Sequence, residues 1–227
     1  MAGGQPPPFS FAKRVPGALM PLMPARPPPD FLFETAARAR GFAVIAGVDE
    51  VGRGPLAGPV TAAAVRLDPA NIPPGLRDSK LLSAARRATL HDLIRSVAEV
   101  SVAHASVAEI EALNISGASH LAMHRALSGL SQPPDFALID GNRMPPGLPC
   151  AAQIIVRGDA CCLSIAAASI VAKVVRDRLM VDLAQHNPGY GWERNVGYPT
   201  AQHLRALTQL GVTPHHRRHF RPVRNML

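Results

Sequence analysis

The segment from Phe42 to Pro55, Phe-Ala-Val-Ile-Ala-Gly-Val-Asp-Glu-Val-Gly-Arg-Gly-Pro, constrains the chain more than any other. Its apolar run, Phe42 to Val48, reads as a buried strand. The run closes on two adjacent carboxylates, Asp49 and Glu50, which are costly to bury without a cation. The Gly52-Arg53-Gly54 turn then offers bare backbone and one guanidinium, a combination suited to a phosphate or a sugar. A metal site beside a polyanion is the simplest reading.

The rest of the chain supplies partners for that strand. A second strand is expected over Val60 to Leu67 and a third over Glu99 to Val107. Two shorter apolar runs, Phe136 to Ile139 and Gln153 to Val156, read as strands four and five. Helical patterns cover Ser83 to Ser96, Ser116 to Leu130, Ser164 to Gln185 and Thr200 to Leu210, each opening near a Ser or Thr able to cap it. Asn114 to Ser116 should separate a short helix from the next one. Three early strands followed by strands alternating with helices predict an α/β fold, a sheet flanked by helices. Residues 1–40 hold nine of the chain's 23 prolines, a composition that resists helix and sheet. They are expected to form a disordered arm, with a short helix near Phe31 to Arg40 as its one ordered piece. Residues 41–227 then make one domain.

Charge and cysteine usage narrow the function. The 24 Lys and Arg outnumber 16 Asp and Glu, a net +8 that favours a polyanionic partner. No apolar run reaches the roughly 18 residues a bilayer span needs, and no signal peptide is apparent. The three cysteines, Cys150, Cys161 and Cys162, make neither a disulfide framework nor a CxxC zinc site. The expected location is the cytoplasm.

Two more acids sit as Asp49 does. Asp140 follows Phe136-Ala-Leu-Ile139, and Asp159 follows Ile154-Ile-Val-Arg-Gly158. Ligands of α/β sheets collect at strand ends, so acids distant in sequence can converge there. Four carboxylates suit Mg²⁺ or Mn²⁺ rather than zinc. Taken alone, Asp140 or Asp159 would be read as an ordinary turn-former; the adjacent pair is harder to explain that way. The glycines at 52, 54 and 58 miss the dinucleotide spacing by one residue, and no P-loop lysine follows.

These residues resemble a known family. Gly47-Val-Asp-Glu-Val-Gly-Arg-Gly-Pro-Leu-Ala-Gly-Pro-Val60 is similar to the signature of type 2 ribonuclease H (bacterial ribonuclease HII). So are Asp78-Ser-Lys80, the segments around Asp140 and Asp159, Leu163 to Asp177, Gly189 to Thr200, and His216-Arg217. The likeness runs in order over about residues 42–223. It implies a ribonuclease H-like fold, a mixed five-stranded sheet flanked by helices, with a C-terminal helical extension (about 186–227) that binds substrate. It implies an endoribonuclease that acts on RNA–DNA hybrids and nicks 5′ to single ribonucleotides in duplex DNA, leaving a 3′-hydroxyl and a 5′-phosphate. By the same resemblance, Asp49, Glu50, Asp140 and Asp159 hold two Mg²⁺ or Mn²⁺ ions. Gly52, Arg53 and Gly54 read the ribose 2′-hydroxyl, and Tyr198 stacks on the next sugar. The implied partners are RNA–DNA hybrid and ribonucleotide-containing duplex; the chain is expected to be a monomer without membrane contact.

Lys80, Lys173 and Arg176 are candidates to hold the nucleic-acid backbone, with Lys173 to Asp177 equally readable as a surface ion pair. Arg217, Arg218, Arg221 and Arg224 form a basic tail suited to phosphates. Both tyrosines and the only tryptophan fall between 190 and 198, which reads as a contact surface or as a loop pinned to the core. Leu81, Cys161-Cys162 and His219 depart from the family pattern. A junction resolvase of the same superfold would not need the Gly-Arg-Gly turn, and a binding module would not need four acids.

Overall fold

A computed structural model describes residues 27–227, so most of the proposed arm lies outside the described residues. The five strands are β1 Ile45–Val51, β2 Val60–Arg66, β3 Glu99–Ala105, β4 Phe136–Asp140 and β5 Ala151–Ile155. They form one mixed sheet in the order β3-β2-β1-β4-β5. β1, β4 and β5 are parallel, while β2 is antiparallel to both β1 and β3. The carboxyl ends of β1 and β4 therefore open on the same edge, side by side.

Among the described residues, seven α-helices accompany the sheet: α1 Leu32–Ala39, α2 Ala84–Val97, α3 Val107–Ser128, α4 Leu163–His186, α5 Trp192–Asn195, α6 Ala201–Leu210 and α7 Arg221–Arg224. α3 packs on one face, where Ala118, Ala122 and Met123 meet Ala46, Val48, Ala62 and Ala64. α2 and α4 pack on the other, against Ala63 and Val65. Small residues let α4 approach β1 closely. A Cβ added at Gly47 would collide with the α4 backbone at Ser164 and Ile165. That close approach carries Ser169, one and a half turns further along α4, to the end of β1 where Asp49 lies.

Helix starts follow the expected chemistry in three places. Ser83 accepts from Arg86 N, Thr200 accepts from His203 N, and Ser106 makes a reciprocal capping box with Glu109. The short helix expected before Asn114 is the first part of α3, nucleated at Val107 by that box. Asn114 then breaks it as predicted, at φ 57° and ψ 170°, and its Oδ1 restarts the helix by accepting from Ser116 and Gly117 N–H. α4 departs from expectation: its first residue is Leu163, and Cys162 at the cap makes no side-chain cap bond. Glu34 of α1 does the work instead, accepting from Ser164 N at 2.8 Å. An anion at a helix N-terminus is favoured by the macrodipole.

That contact moves the start of the folded unit. Residues 30–40 are not part of a free arm: Asp30 bridges Cys162, and Glu34 and Ala37 are buried. β1 also differs from its predicted span. It starts at Ile45 because Asp135 binds Ala43 and Val44 N–H, drawing that backbone to a side chain. It runs on to Val51 because Val51 and Glu50 pair with Thr61 and Ala62 of β2. Asp49 and Glu50 thus lie within the strand, not after it.

Candidate active site

A strand's successive side chains point to opposite faces. Asp49 accordingly faces α4, is 7% exposed, and accepts a hydrogen bond from Ser169. Glu50 faces the α3 side, in a cleft of about 450 Å³ that it shares with Arg53, His120, Asp140, Asn142 and Arg143. Asp140 ends β4, and its Oδ1 accepts from Gly158 N at 2.6 Å. Asp159 follows in a turn of 3₁₀-helix, Gly158–Ala160, that Arg157 enters in a left-handed conformation at φ 58°. A non-glycine residue there costs on the order of 1 kcal/mol or more, and the turn so made brings Gly158 N–H to Asp140.

Burial raises all four acids, and neighbouring carboxylates add to the rise at Asp49, Glu50 and Asp159. Burial pushes the Asp49 carboxyl well above the usual range, and the charges of Glu50, Asp140 and Asp159 push it further. Burial raises Glu50 too, against the opposing pull of Arg53. Asp140 and Asp159 are likewise raised, first by burial. Lys80 stands 3.8 Å from Asp159, and although burial opposes it, the carboxylates of Asp159, Asp78, Asp49 and Asp140 hold its ammonium above the ordinary value. One exposed lysine does not neutralise four acids, so the donor set fits a hard divalent cation. Among the described residues, however, no three of these side chains already enclose a common point. Glu50 is engaged by Arg53 at 3.2 Å instead.

A polar chain steadies Asp49 from behind. Ser79 of the Asp-Ser-Lys segment meets Ser169 at 2.9 Å inside the protein, and Ser169 meets Asp49. Lys80 and Asp49 are thereby positioned by one turn, Ser79–Leu81, whose own start is capped by Asp78.

The Gly52-Arg53-Gly54 turn lies beside the acids and is gripped from within. Arg217 donates to Gly52 O, Arg53 O at 3.0 Å, and Gly58 O at 2.8 and 2.9 Å. Arg176 donates to Pro59 O, Ala57 O and Val196 O at 3.0–3.2 Å. Both arginines are fully buried, which corrects their reading as phosphate contacts. Burial lowers Arg176 to about 10, and burial with the neighbouring Arg176 charge lowers Arg217 to about 9. Each remains charged at neutral pH. Gly52 sits at φ 94°, and a Cβ there would land on the Arg176 guanidinium. Glycine is required at that point.

The aromatic cluster divides. Tyr190 and Trp192 are buried, stacked at 5.1 Å, and belong to the core of the C-terminal helices, so the expected contact surface reduces to Tyr198. Tyr198 is 42% exposed, and a Cβ built on Gly54 would touch its ring at 3.3 Å. Its carbonyl is held by His203 Nδ1 at 3.0 Å. That fixes the His203 proton on Nδ1, leaving Nε2 to accept from Trp192 Nε1 and His216 Nε2, both at 3.1 Å. His216 Nδ1 accepts from Thr213 N, so its proton must be on Nε2. Burial drives His216 down to about 4, keeping the relay neutral.

The remaining candidates fall outside the cleft or at its rim. Lys173 is tied to Asp177 at 2.7 Å. Arg218, Arg221 and Arg224 are exposed. Three cleft residues were not legible in the sequence, and two of them, Asn142 and Arg143, directly follow Asp140-Gly141. Their adjacency to an expected ligand was a usable signal. His120 of α3 faces the same cleft, and nothing in its local sequence distinguishes it.

A model of the family described as Ribonuclease HII matches residues 46–223. A Ribonuclease HII from Cereibacter sphaeroides (strain ATCC 17025 / ATH 2.4.3) is 68% identical over 199 residues, covering 88% of this chain and 94% of that protein. Among solved structures, the ribonuclease H2 from Pyrococcus horikoshii OT3 superposes with a TM-score of 0.67 at 27% identity, over 81% of this chain and 97% of that one. The Bst-RNase HIII solved in complex with Mn²⁺ shares the fold, with a TM-score of 0.65 at 20% identity, over 81% and 68% of the two chains. The signature that closes on Asp49 and Glu50 and the mixed five-stranded sheet thus agree, and the chain belongs to the ribonuclease HII family of metal-dependent endoribonucleases.

Proposed function

We propose that the protein cleaves the RNA strand of RNA–DNA hybrids and nicks 5′ to single ribonucleotides in duplex DNA, leaving a 3′-hydroxyl and a 5′-phosphate. The observation that carries this reading is adjacency. Four carboxylates at one sheet edge, balanced only in part by Arg53 and Lys80, stand next to a loop of exposed backbone with a tyrosine ring against it. Asp49, Glu50, Asp140 and Asp159 would hold two divalent ions, Mg²⁺ or Mn²⁺, which supply an activated water and stabilise the leaving oxygen. Mn²⁺ in the Bst-RNase HIII structure supports that choice of ion. For Glu50 to contribute, its carboxylate must turn from Arg53, freeing that guanidinium for the substrate.

The protein's own groups account for the remaining steps. Lys80, exposed and beside Asp159, meets an arriving phosphate. Gly52, Arg53 and Gly54 present backbone to the ribose, where the 2′-hydroxyl is what separates RNA from DNA. Tyr198 packs on the following sugar, where an added hydroxyl would clash. Lys173 can reach a phosphate only by giving up Asp177. The exposed arginines of the C-terminal segment add sequence-independent attraction.

A duplex carrying one ribonucleotide, incubated with Mg²⁺ or Mn²⁺, should be nicked once on the 5′ side, while an all-DNA duplex stays intact. No nick in the first duplex would end this reading.

A further inference from the structure

We infer that Arg217 determines specificity by turning the Gly52-Arg53-Gly54 backbone so that two successive N–H groups face the substrate. The inference rests on the ribonucleotide-reading function proposed above. In a trans peptide the C=O and the following N–H point in opposite directions, and no cis bonds occur among the described residues. Arg217 pulls the carbonyls of Gly52 and Arg53 inward, to a guanidinium with no exposed surface. The N–H groups of Arg53 and Gly54 belong to those same two peptide units. They must therefore point outward, and both residues are exposed. Neither N–H donates to any partner among the described residues. Two consecutive outward N–H groups form a concave donor pair for an oxygen lone pair, such as that of a phosphate or a sugar hydroxyl.

The grip is also electrostatic. Buried charges are ordinarily paired, yet neither Arg217 nor Arg176 is ion-paired among the described residues. Their N–H groups are taken up by carbonyl oxygens, and the Phe220 ring lies 5.2 Å from the Arg217 guanidinium. A positive field therefore stands directly behind the two N–H donors, reinforcing their pull on an electron-rich oxygen. Arg176 extends the device to the tyrosine side. It holds the carbonyl of Val196, a β-branched residue at φ 45°, one of the least favourable places for such a side chain. Gly197 O then accepts from Leu56 N at 2.7 Å, joining the loop to the Tyr198 turn. The loop and the tyrosine are thus set by one buried pair of guanidiniums.

Arg217→Lys keeps the charge and loses the fork that reaches three carbonyls. With Mg²⁺ and a duplex holding one ribonucleotide, the variant should raise KM about tenfold, the loss of roughly one charge-assisted hydrogen bond, with kcat changed less. A merely structural role would shrink the active fraction, lowering kcat at unchanged KM; that outcome, or unchanged constants, overturns the inference. If the variant does not fold, amide exchange in the parent decides. Arg53 and Gly54 N–H should exchange fast in the free enzyme and slow in complex with the ribonucleotide duplex but not with all-DNA duplex. Slow exchange in the free enzyme, or no change on binding, overturns the inference. A parent that fails to nick the ribonucleotide duplex removes the function and this inference together; a parent that nicks while Arg217→Lys keeps its KM removes only this inference.

Discussion

Two regions of opposite charge lie side by side and solve opposite problems. At the ends of β1 and β4, four carboxylates gather with too few cations; burial pushes all four toward protonation, and neighbouring acids push Asp49, Glu50 and Asp159 further. Behind the Gly52-Arg53-Gly54 loop, two guanidiniums are buried with no anion, and their pKa values fall for the mirrored reason. The difference lies in how each is relieved. The arginines are satisfied inside the fold by carbonyls, so their region needs no partner from outside. The acids are satisfied only in part, by Ser169, by backbone N–H groups and by Lys80. Their charge is left for something outside the chain. The acid region is therefore where chemistry is supplied, and the arginine region is where shape is supplied.

Breaking the acid side should have the largest effect on activity and the reverse effect on stability. Asp49→Asn removes a carboxylate from the centre while an amide oxygen still accepts from Ser169. Metal-assisted stabilisation is worth several kcal/mol, so nicking should fall by at least about 10³-fold. The metal-free protein should meanwhile gain on the order of 1 kcal/mol, because one member of a repelling cluster is gone. Urea unfolding in a chelator, beside the nicking assay, checks both signs. A variant that loses activity and stability together would mean that Asp49 is a structural residue.

The comparison sharpens at two glycines that share a positive φ. Gly52 lies on the arginine side at φ 94°, and Gly141 on the acid side at φ 118°. A Cβ at Gly52 collides with Arg176, whereas at Gly141 it meets nothing within 4 Å. Gly52→Ala should cost roughly 2–4 kcal/mol, backbone strain plus overpacking. Gly141→Ala should cost about 1 kcal/mol, from the backbone alone. Equal losses in denaturant midpoints would show that the arginine region is as open as the acid region.

The sequence conveyed these two regions unequally. The acids were legible because each follows an apolar run, and strand ends in a mixed sheet meet at one edge. Their facing was not: the pairing of Glu50 and Val51 with β2 extends β1 past both acids and sends Asp49 and Glu50 to opposite faces. The arginines were misread for two reasons: Arg217 sits in a basic tail, and Arg176 shares a helix face with Lys173, and both settings look like phosphate contacts. What buries Arg217 is a loop more than 150 residues away, and carbonyls leave no mark in a sequence. A separation of 130 residues likewise hid Glu34, which caps α4 from a stretch that composition assigned to an arm. Tyr190 and Trp192 announced themselves as a cluster, but which ring faces water depends on α6 and the 213–217 turn packing over them. No described helix is long and apolar enough to cross a bilayer.

The smallest predicted effect separates the two regions by pH. His216, at about 4 in the fold and about 6.5 when unfolded, binds its proton mainly in the unfolded chain. Its contribution is full above pH 6.5 and is lost as pH falls toward 4. The raised carboxylates have the opposite sign. They bind protons preferentially in the fold, so what they contribute grows as pH falls through the same window. The parent protein should therefore show a shallow profile in which the two slopes oppose each other. His216→Asn can keep the acceptor for Thr213 N and removes the largest histidine slope, leaving the carboxylates opposed only by the lowered His104, His120 and His203. Between pH 6.5 and 4 the variant should gain on the order of 1–2 kcal/mol relative to the parent, read from urea midpoints in a chelator. Parallel profiles would mean that His216 already carries its proton in the fold. The relay from Trp192 through His203 to the Tyr198 carbonyl would then need a different set of tautomers.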